Sequence, residues 1–129
     1  MDQARVLVVD DEKDFNETIV KRLNRRGFGA YSAFSGQQAL ETLAVREFDV
    51  MLLDIMMPGM DGIEVLREVK KRQPGVEVIL LTGHASVESG IQGMSLGANA
   101  YMIKPVDFEE LLAGIAQAFE RKRLSAGNA

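Results

Sequence analysis

One feature constrains this chain more than any other. Short, largely apolar runs stop at a charged or hydroxylated residue, and each is followed by a longer stretch with apolar residues at helical spacing. Arg5-Val6-Leu7-Val8-Val9 stops at Asp10-Asp11, Asp49-Val50-Met51-Leu52-Leu53 at Asp54, Val76 to Leu81 at Thr82-Gly83, and Ala100 to Ile103 at Lys104-Pro105. A run that is apolar at every position is a strand buried on both faces. Gly29-Ala30-Tyr31-Ser32-Ala33 is a weaker run of the same kind and supplies the second of five strands.

The intervening stretches read as helices. From about Asp14, Phe15, Ile19 and Leu23 recur every fourth residue with Glu17, Lys21 and Arg25 between them, and Gly27 is placed to end that helix. Ser35 with Gln38 forms a capping box ahead of the buried stripe Ala39, Leu40 and Leu43. Pro58-Gly59 and Asp61-Gly62 mark a turn that shapes a loop. Ile63, Leu66 and Val69 then carry a helix to Pro74-Gly75. A helix is expected from about Ser86 to Leu96. It contains Gly90 and Gly93, each costing about 1 kcal/mol relative to alanine, so it should be the least stable helix. Asp107, with Glu110 three residues on, caps a last helix whose buried face is Leu111, Leu112, Ile115 and Phe119. Arg121-Lys122-Arg123 reads as the basic end of that helix.

Strands alternating with helices make an α/β protein with a doubly wound, five-stranded parallel sheet. The 129 residues suit one domain, expected over residues 1–124, with Ser125 to Ala129 as a frayed tail. The formal charge of −4 argues against non-specific nucleic-acid binding. The absence of cysteine excludes a disulfide scaffold, a thiolate zinc site and a thiol nucleophile. The single histidine, His84, excludes a multi-histidine metal centre. No apolar run approaches the ~18 residues of a membrane span, and Met1 to Arg5 lacks the basic and apolar segments of a signal peptide, so a cytoplasmic location is expected.

In such a sheet, ligands bind outside the carboxyl ends of the strands, where the strand order reverses. The residues there are Asp10, Asp11, Asp54, Thr82 and Lys104. Carboxylates within ~5 Å of one another repel by roughly 3 kcal/mol per pair at an effective dielectric of ~20, so the cluster calls for a proton, a cation or both. Hard oxygen ligands point to Mg²⁺ or Mn²⁺. A lysine and a hydroxyl across from that ion would suit a phosphoryl group. No Gly-rich phosphate loop is present, which makes one carboxylate itself a candidate phosphoryl acceptor.

Four segments, in order and at strand ends, match a known family: Val8-Val9-Asp10-Asp11-Glu12, the run from Leu52 to Gly62, Leu81-Thr82-Gly83, and Tyr101-Met102-Ile103-Lys104-Pro105. From about Arg5 to Arg121 the chain resembles the receiver domain of two-component response regulators. The resemblance implies a flavodoxin-like (βα)5 fold, with Asp54 as phosphoacceptor for a histidine kinase or histidine phosphotransferase. Asp10, Asp11, Asp54 and the Met56 carbonyl would hold Mg²⁺. Lys104 and Thr82 would bind the phosphoryl group, Tyr101 would turn inward behind it, and the bond before Pro105 would be cis. His84, two residues past Thr82, would sit at the pocket rim and modulate hydrolysis, with an exposed histidine of no role as the equal alternative.

The implied function is a switch rather than a classical enzyme, with a conformational change at the face formed by the fourth helix, fifth strand and fifth helix. Its partners would be the kinase and a downstream effector domain or protein, together with a phosphorylation-dependent homodimer. No nucleic-acid or membrane contact is expected. Two rivals remain at this point. One is an aspartyl-phosphate phosphatase of the haloacid-dehalogenase type, which would place its nucleophile after the first strand and leave Asp54 without a task. The other is a degenerate receiver that only binds a protein.

Overall fold

The computed structural model describes residues 4–83 and 87–127. The elements in chain order are β1 (Arg5–Val9), α1 (Lys13–Arg25), β2 (Gly29–Ala33), α2 (Gly36–Val45), β3 (Val50–Asp54), α3 (Gly62–Arg72), β4 (Glu77–Thr82), α4 (Val87–Ser95), β5 (Ala100–Ile103) and α5 (Phe108–Gly127). All strand pairs are parallel, in the order β2-β1-β3-β4-β5. The order reverses beside β1, between β1 and β3, and this is where such folds open a crevice for ligands.

The uniformly apolar strands divide their side chains between two cores, because successive residues of a strand point to opposite faces. Leu7, Val9, Met51, Leu53, Val78 and Leu80 face α2, α3 and α4. Val6, Val8, Val50, Leu52, Ile79 and Leu81 face α1 and α5. Both β3 and β4 begin and end one residue later than the apolar runs suggest. Asp54 and Thr82 are therefore the last residues of their strands, held by the sheet ladder rather than by the following loops.

Three helix ends differ instructively from the sequence pattern. In α1, Ile19 and Leu23 are buried as expected, but Asn16 is fully buried with them and Phe15 is only half-buried. The Asn16 amide donates to the carbonyls of Val8, Asp10 and Ala33 at 2.9–3.1 Å, so one polar side chain ties α1 to the ends of β1 and β2. The Ser35 hydroxyl accepts from the Gln38 N–H, while the Gln38 side chain reaches one residue further back than in a standard box, to the Phe34 N–H. Asp61-Gly62, read as a turn, starts α3 instead. Asp61 accepts from the Glu64 N–H at 3.0 Å, and Gly62 passes so close to β3 that a Cβ there would lie 2.5 Å from the Asp54 carbonyl.

Helix α5 continues through Ser125 to Gly127, part of the expected tail. Its inner face is Phe108, Leu111, Ile115 and Ala118, with Leu112 and Phe119 half-buried. The basic triplet lies inside the helix and is paired. Lys122 meets Asp49 at 2.9 Å, Arg121 approaches Glu77 at 3.7 Å and Arg123 approaches Glu120 at 3.3 Å. The first two contacts fasten α5 to the starts of β3 and β4.

Candidate functional site

The strand register brings the chemistry to one level. Val9 pairs with Leu53 and Asp54 pairs with Leu81, so Asp10 emerges beside Asp54. Thr82 pairs with Ile103, and the Lys104 N–H donates to the Thr82 carbonyl at 2.7 Å. Asp10, Asp54 and Thr82 are all buried, with Asp54 only 4% exposed.

Each aspartate is oriented by one local bond. Asp10 Oδ1 accepts from the Glu12 N–H at 2.9 Å, and Asp54 Oδ1 accepts from the Met56 N–H at 3.0 Å. The other oxygens converge on one ammonium. Lys104 Nζ lies 2.6 Å from Asp10 Oδ2, 2.7 Å from Glu12 Oε1 and 3.4 Å from Asp54 Oδ2. The same ammonium stands 4.3 Å from the centre of the Phe15 ring. The Lys104–Pro105 peptide bond is cis.

Burial pushes the Asp54 carboxyl up to about 6, and the neighbouring Asp10 charge adds to this. The Met56 N–H and Lys104 pull the other way. For Lys104, burial opposes the charge, but hydrogen bonds and attraction from Asp10, Glu12 and Asp54 overcome it and hold the ammonium above its ordinary range. The pair therefore stores opposing tendencies. The lysine keeps its proton firmly, and the Asp54 carboxylate tolerates its charge poorly.

One oxygen from each of Asp10, Glu12 and Asp54 falls within 4.8 Å of the others, a spacing that can hold a divalent cation. Three carboxylates against one ammonium leave two negative charges uncompensated, and all the donors are hard oxygens, which fits a dication of the Mg²⁺ class. Of the residues singled out in sequence, the structure brings Asp10, Asp54, Thr82 and Lys104 to this edge. Asp11 is exposed and is not one of the three grouped acids. Glu12 stands in the group instead. The sequence carries no signal for it: the chain bends at Asp11, and Asp10 Oδ1 takes the Glu12 N–H at 2.9 Å, which brings Glu12 back beside Asp10. Phe15 and Asn16 were also missed as parts of the site. Tyr101 is half-buried on β5 with its ring against α4, where a Cβ on Gly90 would lie 2.8 Å from it. His84 lies outside the described residues.

The comparisons agree with this geometry. Residues 6–116 match the family profile of the response regulator receiver domain. The chain is 37% identical over 124 residues to the transcriptional regulatory protein ZraR of Klebsiella oxytoca, covering 96% of this chain and 28% of that protein. It is 35% identical over 121 residues to the uncharacterized transcriptional regulatory protein YkoG of Bacillus subtilis, covering 94% and 53%. The chain thus spans between about a quarter and a half of these relatives' length. Among solved structures, it superposes on a CheY-like receiver domain protein of Methanospirillum hungatei with a TM-score of 0.92 and 30% identity over 96% of this chain and 99% of that one. It superposes on a receiver domain protein of Clostridium thermocellum with a TM-score of 0.87 and 36% identity, covering 94% and 98%. A parallel sheet ordered 2-1-3-4-5, with its acids and its lysine meeting beside the strand-order switch, and a profile match over most of the sequence lead to one conclusion: this chain belongs to the response regulator receiver domain family.

Proposed function

We propose that this chain is a phosphorylation-controlled signalling switch, with residues 1–124 as its receiver unit and Asp54 as phosphoacceptor. The observation that carries this reading is the Asp54 carboxylate itself, buried at a strand end with one oxygen fixed by the Met56 N–H and the other facing Asp10 and Lys104. The donor is a phosphohistidine on a kinase or a histidine phosphotransferase. An Asp54 oxygen attacks the phosphorus and a P–O bond forms. The P–N bond breaks, and its electron pair leaves on the imidazole nitrogen, which takes up a proton.

Asp10 and Asp54 would hold the Mg²⁺ or Mn²⁺, with Asp11 and the Met56 carbonyl as further ligands. When bound there, the ion would supply positive charge to the phosphoryl oxygens. Lys104 binds another of those oxygens and the Thr82 hydroxyl donates to a third. Both contacts exist only in the phosphorylated form, so they bias a two-state equilibrium, with Tyr101 turning inward as Thr82 moves. A swing from 1:99 to 99:1 needs about 5.5 kcal/mol, within reach of a few charge-assisted hydrogen bonds. The changed surface is the face of α4, β5 and α5, where Ile91, Met94 and Ile103 are exposed. The relatives are named as transcriptional regulators, and an effector domain of that kind is the natural reader of this face. No described helix is long and apolar enough to cross a membrane, in keeping with a cytoplasmic site of action.

Incubation with acetyl phosphate tests the reading. Stoichiometric, EDTA-sensitive labelling is expected for the wild type and none for Asp54→Asn. Full labelling of D54N would overturn the assignment of the acceptor. Turnover of many phosphate monoesters per chain would favour the phosphatase reading instead.

A further inference from the structure

Glu12 lies outside the ligand set that the family resemblance implies, yet it takes one of the two short bonds from the most important cation in the site. A lysine ammonium has three N–H donors. Here Asp10 and Glu12 each receive a short bond, at 2.6 and 2.7 Å, while Asp54 accepts a long one at 3.4 Å. The ammonium therefore stands off the Asp54 carboxylate and sits over the Phe15 ring. The two short partners differ in character. The Asp10 side chain is 1% exposed and fixed, whereas that of Glu12 is 64% exposed, so its carboxylate regains water as soon as it lets go. Release from Glu12 is accordingly cheap, as for other ion pairs with one partner in solvent.

We propose that Glu12 is a positioning residue that holds the Lys104 ammonium off Asp54 and yields it to the phosphoryl group as that group reaches Asp54. The proposal rests on the reading of Asp54 as phosphoacceptor. With acetyl phosphate, an Asp54 oxygen bonds to phosphorus, the P–O bond to the acetyl group breaks, and acetate leaves with the electron pair. Lys104 stabilises the charge in transit, and every contact it keeps with Glu12 competes with that task.

The test compares Glu12→Gln with Asp14→Asn. Asp14 is an exposed acid in the first turn of α1, outside the Lys104 ion pairs, so D14N removes the same charge nearby without touching the lysine. At saturating Mg²⁺ and acetyl phosphate, the limiting rate of Asp54 labelling is expected to rise about three- to fivefold in E12Q, with D14N unchanged and Glu12→Asp falling back toward the wild type. A second readout needs neither metal nor turnover. The ¹H–¹⁵N ammonium signal of Lys104, assigned by its loss in K104R, should exchange faster with water in E12Q and not in D14N. Equal rates for E12Q and D14N, a slower E12Q, or unaltered ammonium exchange would each overturn the proposal. A wild type that takes no label at all would instead sink the reading of Asp54.

Discussion

Replacing Asp54 by asparagine should stabilise the metal-free protein at neutral pH and not at acid pH. Burial raises the Asp54 carboxyl from its ordinary 3.8 to about 6 in the folded chain, so the folded state binds this proton more tightly than the unfolded state does. The stability this group contributes is fully present below about pH 3.8 and is lost as pH rises through about 6. At 1.36 kcal/mol per unit, the full span is worth about 3 kcal/mol, and the part between about pH 4.5 and 7.5 about 2 kcal/mol. Asparagine keeps the shape and can still accept from the Met56 N–H, but it carries no charge to bury.

The assay is urea denaturation of both proteins in EDTA, followed by far-UV circular dichroism across that pH range. The difference in unfolding free energy isolates the group, since any fixed offset from the new amide drops out. D54N should gain about 2 kcal/mol on the wild type between the acid and neutral ends. A flat difference, or one that moves the other way, would refute the reasoning. It would mean that Lys104 and the Met56 N–H offset the burial completely and that the Asp54 charge is not held at a cost.

Two further outcomes follow from the packing. Asn16→Ala should cost about 2–3 kcal/mol in urea denaturation, because three buried carbonyls lose their shared donor, and Asn16→Asp should cost more because a carboxylate would face all three. A loss below about 0.5 kcal/mol for the alanine variant would remove Asn16 as a tie between α1 and the sheet. Helix α4, with Gly90 and Gly93 in its interior, should show the fastest amide exchange of the five helices, and slower exchange than its neighbours would contradict that. Gly90→Ala should displace the Tyr101 ring, which a Cβ would meet at 2.8 and 2.9 Å, and with no tryptophan present the two tyrosines report this by fluorescence.

The glycines of α4 show where sequence and structure part. Their low helix propensity is visible in the chain. That Gly90 makes room for Tyr101, and that a Cβ on Gly93 would collide with the Leu80 side chain, depends on how closely α4 lies on the sheet. Likewise the strand-end position of Asp54 and Thr82 came from a one-residue shift that only ladder pairing decides, because a period of one apolar residue after another carries no register. The first apolar run fixed β1 to the residue, since its flanking Arg5 and Asp10 are unambiguous.

Local pattern by itself determined the five strands, the parallel α/β architecture and the meeting of Asp10, Asp54, Thr82 and Lys104, because burial on both faces leaves the central strands β1, β3 and β4 no other composition and parallel strands must all end at one edge. Tertiary structure alone decided which acid would share the lysine. Glu12 rather than Asp11 meets Lys104 because the chain bends at Asp11 and Asp10 Oδ1 takes the Glu12 N–H, which brings Glu12 back beside Asp10 and leaves Asp11 in solvent.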